Sequence, residues 1–160
     1  MYNLKKVSGS YKGWIGECLF KVTRKYVILT RFFSKNKYFK IFEDKLTNDE
    51  KQFLDKNWFS IDALEFDYTK LPRRLVLYEV KTLNDYFNSK LNGLNRIPKI
   101  TLNSYKMYTE ALVRGFDVKV VFVWLRNSWN YDIEIFDFNK CKYYVDKPKL
   151  YDKVATFYQK

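Results

Sequence analysis

The chain has 160 residues, of which 47% are hydrophobic and 20% aromatic, so it suits one folded domain and excludes a disordered tail. Lys and Arg total 30 against 18 Asp and Glu, a net charge of +12 that attracts polyanions, nucleic acid first and an anionic membrane surface second. There is no histidine, which excludes Ser-His-Asp, Cys-His and HExxH chemistry and leaves carboxylates, lysines, tyrosines and metal ions for any catalysis.

No apolar run approaches the roughly 18 residues of a membrane span. The segment MYNLKKVSGS is basic but has no apolar core, so no signal peptide is expected. Cys18 and Cys141 cannot supply a four-ligand zinc site. They read as two reduced thiols of a cytoplasmic protein.

In chain order, GWIGECLFKVTRKY (13–26) spaces Ile15, Leu19, Val22 and Tyr26 as one helical face, with Cys18 beside it. YVILTRFF (26–33) is rich in β-branched and aromatic residues and predicts a strand. LTNDEKQFLDKN (46–57) predicts a short helix capped by Thr47 or Asn48. WFSIDALEFDY (58–68) and LVLYEVKT (75–82) predict two strands joined as a hairpin through TKLPRR. Residues 83–99, with Asn, Gly93 and Pro98, predict an irregular loop. TLNSYKMYTEALVR (101–114) predicts a helix with Tyr105, Tyr108, Ala111 and Leu112 inward and Gly115 as its stop. DVKVVFVWL (117–125) predicts a buried strand and YDIEIFDF (131–138) an alternating one. A basic, aromatic extension from about residue 139 is expected to hold a short helix from Leu150. The order predicts an α/β (α+β) fold, a mixed β-sheet flanked by helices, as a single domain over 1–160.

The second hairpin strand raises a question. Side chains alternate along a strand, so Val76, Tyr78 and Val80 share one face and Leu77, Glu79 and Lys81 the other. The first set is expected to pack on a helix and the second to line a cleft or an edge. A turn centred between Lys70 and Leu71 places Asp62 directly across from Glu79, with Cβ atoms about 4.5–5.5 Å apart. Two carboxylates there repel, and a divalent cation between them relieves the repulsion. Glu65 and Asp67 then face the other side. A slip of one residue would turn Asp62 away. Glu79 and Lys81 also suit a plain solvated edge pair.

An acid on one strand followed after a hairpin by Glu-x-Lys on the next resembles the PD-(D/E)XK superfamily of nucleases, which includes restriction endonucleases and archaeal Holliday-junction resolvases. The matching elements are Asp62 in SIDALEFDY and Glu79-Val80-Lys81 in LYEVKT. Glu17 in GWIGE stands where the family often has a helical acid, and IPKITLNSYK stands where it has a helix after the motif strand. The match covers roughly residues 13–125 in order and spacing. It departs at Ile61, where members have Pro, and at Ser104, where many have Gln. Small size, basic charge and absence of histidine are similar to nucleases of archaeal filamentous viruses.

The resemblance implies a restriction-endonuclease-like core and a Mg²⁺- or Mn²⁺-dependent hydrolysis of DNA phosphodiesters, on linear or branched duplex. Asp62, Glu79 and the Val80 carbonyl would hold the metal. Lys81 would orient or activate the attacking water and offset charge on the scissile phosphate, and Glu17 would complete the shell or hold a second metal. Lys99, Ser104, Lys106, Arg73 and Arg74 would touch DNA. Relatives of this kind often dimerise, so a homodimer is among the implied partners; a membrane is not. A viral member would act in the host cytoplasm. The rivals from other classes are a nucleic-acid-binding protein with a decayed nuclease fold and a virion or membrane-surface structural protein.

Overall fold

The computed structural model describes residues 9–84, 99–125, 130–145 and 153–157. Four α-helices are found among them: α1 (Gly9–Thr23), α2 (Lys35–Ile41), α3 (Asn48–Asn57) and α4 (Leu102–Val113). The strands are β1 (Ile28–Leu29), β2 (Ala63–Asp67), β3 (Arg74–Asn84), β4 (Lys99–Thr101), β5 (Asp117–Leu125), β6 (Tyr131–Asp137), β7 (Lys142–Val145) and β8 (Lys153–Phe157). A five-stranded sheet runs in the order β1-β2-β3-β5-β6, and a three-stranded one in the order β4-β8-β7. Within the larger sheet β3 and β5 are parallel and the other neighbours antiparallel. The fold is α+β with a mixed sheet, as the element order predicts.

Period-two patterning decides which residues meet which helix. Leu75 and Leu77 of β3, with Val118, Val120, Phe122 and Trp124 of β5, face the larger core. Phe53 and Leu54 of α3 and Met107, Tyr108 and Ala111 of α4 complete it. Val76, Tyr78 and Val80 of β3, with Val121, Val123 and Leu125 of β5, face the smaller core and Phe20 of α1. The Phe20 and Tyr78 rings lie 4.9 Å apart. Continuous apolar runs in β3 and β5 thus reflect burial on both faces.

Local signals explain most boundaries. Thr47 caps α3: its side chain accepts from the Glu50 amide while the Glu50 carboxylate accepts from the Thr47 amide, a capping box. Gly115 ends α4 at φ +90°, where a side chain would be strained. β5 occupies the predicted 117–125.

Several expectations need correction. Of the expected face of α1, Ile15 and Leu19 pack on the smaller core beside the buried Gly16, Glu17 and Phe20, whereas Val22 and Tyr26 are exposed, because the helix ends at Thr23 and Val27 takes the next core position. The strand expected over 26–33 shrinks to Ile28–Leu29 and passes into a 3-10 turn, Thr30–Phe32. Trp58–Ser60 forms a 3-10 turn too, so β2 starts later than expected. Helix α2, capped by Ser34, is additional. Strand β8 stands where a C-terminal helix is expected. Strand β3 continues to Asn84, into the expected loop, whose residues 85–98 lie outside the described ones, as does Leu150. No helix among the described residues is long and apolar enough to cross a membrane.

Candidate functional site

The site follows from a mismatch in strand length. β2 begins at Ala63, paired with Tyr78, whereas β3 runs on past it to Asn84. On its β5 side β3 stays paired throughout, from Val76↔Asp117 to Asn84↔Leu125. On its β2 side the ladder stops after Tyr78, and the next residues of β3 face a gap. The register is the predicted one: Ala63 lies opposite Tyr78 and Leu64 opposite Leu77. Continued by one residue, it sets Asp62 across from Glu79. Asp62 fills the ladder position with its side chain: its Oδ2 accepts from the Val80 amide at 2.8 Å.

Around this gap four charged side chains meet. Glu79 is only 3% exposed and its Oε1 lies 2.5 Å from Lys81 Nζ, as two residues on one strand face allow. Glu17 comes from α1 on the opposite face and is 4% exposed. It reaches the group because α1 packs unusually close to β3. A Cβ on Gly16 would lie 1.8 Å from Thr82 Oγ1. Arg31 Nη2 donates to Glu17 Oε1 at 3.0 Å, while Glu17 Oε2 is buried with no hydrogen-bond partner. A cleft of about 230 Å³ opens here, lined by Glu17, Thr30, Arg31, Phe59, Ile61 and Asp62.

The two 3-10 turns shape one wall. The Thr30 hydroxyl donates to the Ile61 carbonyl, and the Thr30 amide donates to the Asp62 carbonyl at 3.1 Å. Thr30 therefore staples the first turn to the strand entry that carries Asp62. From the main core the fully buried Tyr108 of α4 brings its hydroxyl under the group, donating to the Tyr78 carbonyl at 3.4 Å.

Electrostatics show the crowding. Burial, then the Glu79 carboxylate, push Asp62 up to about 7, against the pull of Lys81 and the Val80 amide. Burial also raises Glu17, with Arg31 opposing and Glu79 reinforcing. For Lys81 burial works against the ammonium, but the carboxylates of Glu79 and Asp62 outweigh it, and its pKa lies above the usual lysine value. Burial and the Glu79 and Asp62 carboxylates hold the Tyr108 phenol protonated.

The fold thus brings Asp62, Glu79, Lys81 and Glu17 together. The strand face expected to line a cleft does not do so: Leu77 is buried in the main core, Glu79 is buried beside it, and the cleft is lined by Asp62 and Glu17 but not by Glu79 or Lys81. Glu65 points to the other face, where it accepts from Arg24 at 2.6 Å and from the Tyr78 hydroxyl. The expected DNA-contacting residues are not gathered here. Arg73 pairs with Glu50 at 3.1 Å and Arg74 with Asp117 at 3.0 Å. Arg74 starts β3, roughly 16 Å from Glu79 at about 3.3 Å per residue. Ser104 is engaged by the cap of α4, where Thr101 Oγ1 accepts from its amide. Lys106 is exposed on α4, and Lys99 opens β4. Sequence reasoning missed Arg31, Phe59 and the role of Tyr108. Arg31 carried a usable signal, a lone charge in an apolar run like that of Glu79; Tyr108 carried none, since its spacing is that of any core residue.

Compared with known proteins, the chain matches no family model, and no curated protein matches it significantly.

Proposed function

We propose that the protein is a divalent-metal-dependent deoxyribonuclease. The observation that carries this reading is the buried convergence of Asp62, Glu79 and Glu17 with one carboxylate oxygen, Glu17 Oε2, left without a partner. A purely structural core does not gather like charges and orphan an oxygen without cost. The donors are hard oxygens, which suit Mg²⁺ or Mn²⁺. Asp62 and Glu79 would hold the ion and Glu17 would add its free oxygen. The N–H and C=O of a strand residue point to the same edge, so the Val80 carbonyl faces the gap that its amide already shares with Asp62. Bound there, the metal supplies Lewis acidity toward a phosphate and lowers the pKa of a coordinated water.

The chain's own groups do the rest. Lys81, anchored on Glu79, presents an ammonium that stays charged and offsets the charge developing on a phosphate. Arg31 donates to Glu17 at the cleft wall and opposes the upward push of burial on its carboxyl. Tyr108 fixes the strand beneath. The net charge of +12 favours a polyanionic substrate.

A second reading, a nucleic-acid-binding protein without chemistry, has two observations in its favour. Lys81 and Arg31 already pair with Glu79 and Glu17. Among the described residues no group of three or more Asp, Glu or Cys side chains is placed so that it could hold a metal ion. The deciding experiment incubates the protein with Mg²⁺ or Mn²⁺ and linear, circular, single-stranded and junction DNA. Wild type should cleave, and Glu79→Ala, Asp62→Ala and Lys81→Ala should each lose at least about a hundredfold in rate. Equal activity in Glu79→Ala would refute the site. Tight, salt-sensitive binding with no cleavage under either metal would favour the second reading.

A further inference from the structure

The mouth of the cleft is aromatic. Phe59 is 92% exposed although Trp58 before it and Ile61, which closes the same turn, are buried. It therefore stands in water on a turn that is firmly anchored beneath it. Phe32, also exposed, comes from the adjacent 3-10 turn, which Thr30 ties to the Phe59 turn. The Phe32 ring meets Trp14 edge-on at 6.4 Å, and Trp14 meets Tyr11 at 5.2 Å. Arg31, which precedes Phe32 on that turn, is half exposed and pairs with Glu17. Phe59 and Arg31 line the same cleft as Glu17 and Asp62. Scattered exposed aromatics need no explanation, but an almost fully exposed phenylalanine lining an acidic cleft, on a turn tied to one that bears a second exposed phenylalanine, does.

We propose that Phe59 and Phe32, backed by Trp14, form a stacking platform for unpaired nucleobases, so that single-stranded DNA or the frayed end of a duplex is the preferred substrate. The proposal rests on the nuclease reading for what happens at the phosphate, and on the platform alone for what is bound. A flat π-face beside a guanidinium is what a base stacks on, whatever its identity. Intact duplex hides its base faces in its own stack, so only unpaired bases can use rings placed here. The charge of +12 directs a nucleic-acid strand, rather than an apolar protein segment, to the patch.

Binding separates the two ideas because it can be read without metal. In EDTA, fluorescence anisotropy with a short oligothymidylate, its abasic counterpart and a blunt hairpin duplex of equal phosphate number would compare wild type, Phe59→Ala, Phe59→Trp and Phe32→Ala. Wild type should favour oligothymidylate over the abasic strand. Phe59→Ala should weaken oligothymidylate binding about tenfold, leave the abasic strand, the duplex and the salt slope unchanged, and be rescued by Phe59→Trp. Little packs on Phe59, so its variants should keep the wild-type melting temperature; Phe32→Ala gives an independent check. Unchanged affinities, or an equal fall for all three probes, would overturn the platform. So would a shift in sedimentation of Phe59→Ala with no change in binding, which would mark the patch as a contact between copies of the chain. A base-dependent, Phe59-dependent affinity without cleavage under any metal would support the platform and refute the nuclease. Metal-dependent cleavage with no effect of Phe59 or Phe32 on any probe would overturn the platform and leave the nuclease standing.

Discussion

Asp62 does two things at once. Its carboxylate terminates a ladder by accepting from the Val80 amide, and it stands across from Glu79 in a buried gap. Burial and the Glu79 charge raise its pKa to about 7, above the roughly 3.9 of an unfolded aspartate. The sign follows by linkage: the folded state binds the proton more tightly, so this contribution to stability is complete below about pH 4 and is lost as pH rises through about 7. In EDTA, the melting temperature of Asp62→Asn relative to wild type should therefore rise between pH 5 and pH 8. The gap at pH 8 should be a few degrees, since about 1 kcal/mol moves the midpoint of a chain this size by roughly 2–4 °C. Mg²⁺ at pH 8 should raise the wild-type melting temperature and leave Asp62→Asn nearly unmoved. Differential scanning calorimetry across pH checks both, and a pH-independent gap would mean that Asp62 is not the titrating group.

At the scale of elements, the site exists because α1 and β3 approach closely and because β2 is short. The close approach depends on Gly16, where any Cβ would fall on the Thr82 side chain. Thr82 Oγ1 is itself buried without a partner, so its removal should cost little. Gly16→Ala should destabilise the protein by about 1–3 kcal/mol through overpacking and carry Glu17 away from the cleft. Adding Thr82→Ala should restore part of that loss, a coupling of at least about 0.5 kcal/mol in urea denaturation of the four proteins. Additive effects would show that α1 is not held against β3 at this point. The shortness of β2 comes from Trp58–Ser60, where a 3-10 turn buries Trp58 and delays the strand to Ala63.

For the whole molecule, the charge of +12 is unevenly available. Many cations are already engaged: Arg24 with Glu65, Arg73 with Glu50, Arg74 with Asp117, Arg114 with Asp49 and Lys119 with Asp137. These pairs tie strands and helices to one another, and a substitution such as Arg73→Ala should act on stability before it acts on binding. The excess of Lys and Arg over Asp and Glu supplies the long-range field. Affinity for duplex DNA in EDTA should fall linearly in log–log form with salt, by roughly 10³–10⁵ between 50 and 200 mM if six to ten phosphates are neutralised. Fluorescence anisotropy at several salt concentrations measures the slope. A flat profile would remove nucleic acid as the partner of this charge.

Some of this was determined by the sequence alone. Alternation in LVLYEVKT assigns its two faces, and the hairpin length sets the register that puts Asp62 across from Glu79. Both are local properties, since strand period and turn length need no knowledge of the rest of the chain. Thr47 and Gly115 likewise mark helix ends through hydrogen bonds and a backbone angle confined to a few residues. Other features were decided only by tertiary structure. Which face of α1 turns inward depends on where the helix stops and on the contact of Gly16 with Thr82, residues far apart in sequence. The same holds for the ion pair of Arg31 with Glu17, the position of Tyr108 beneath the acidic group and the exposure of Phe59 at its mouth. A periodic pattern tells that a side chain is apolar or charged on a given face. What that face meets is set by the packing of distant elements, and it is there that Glu17, Asp62 and Glu79 become one site.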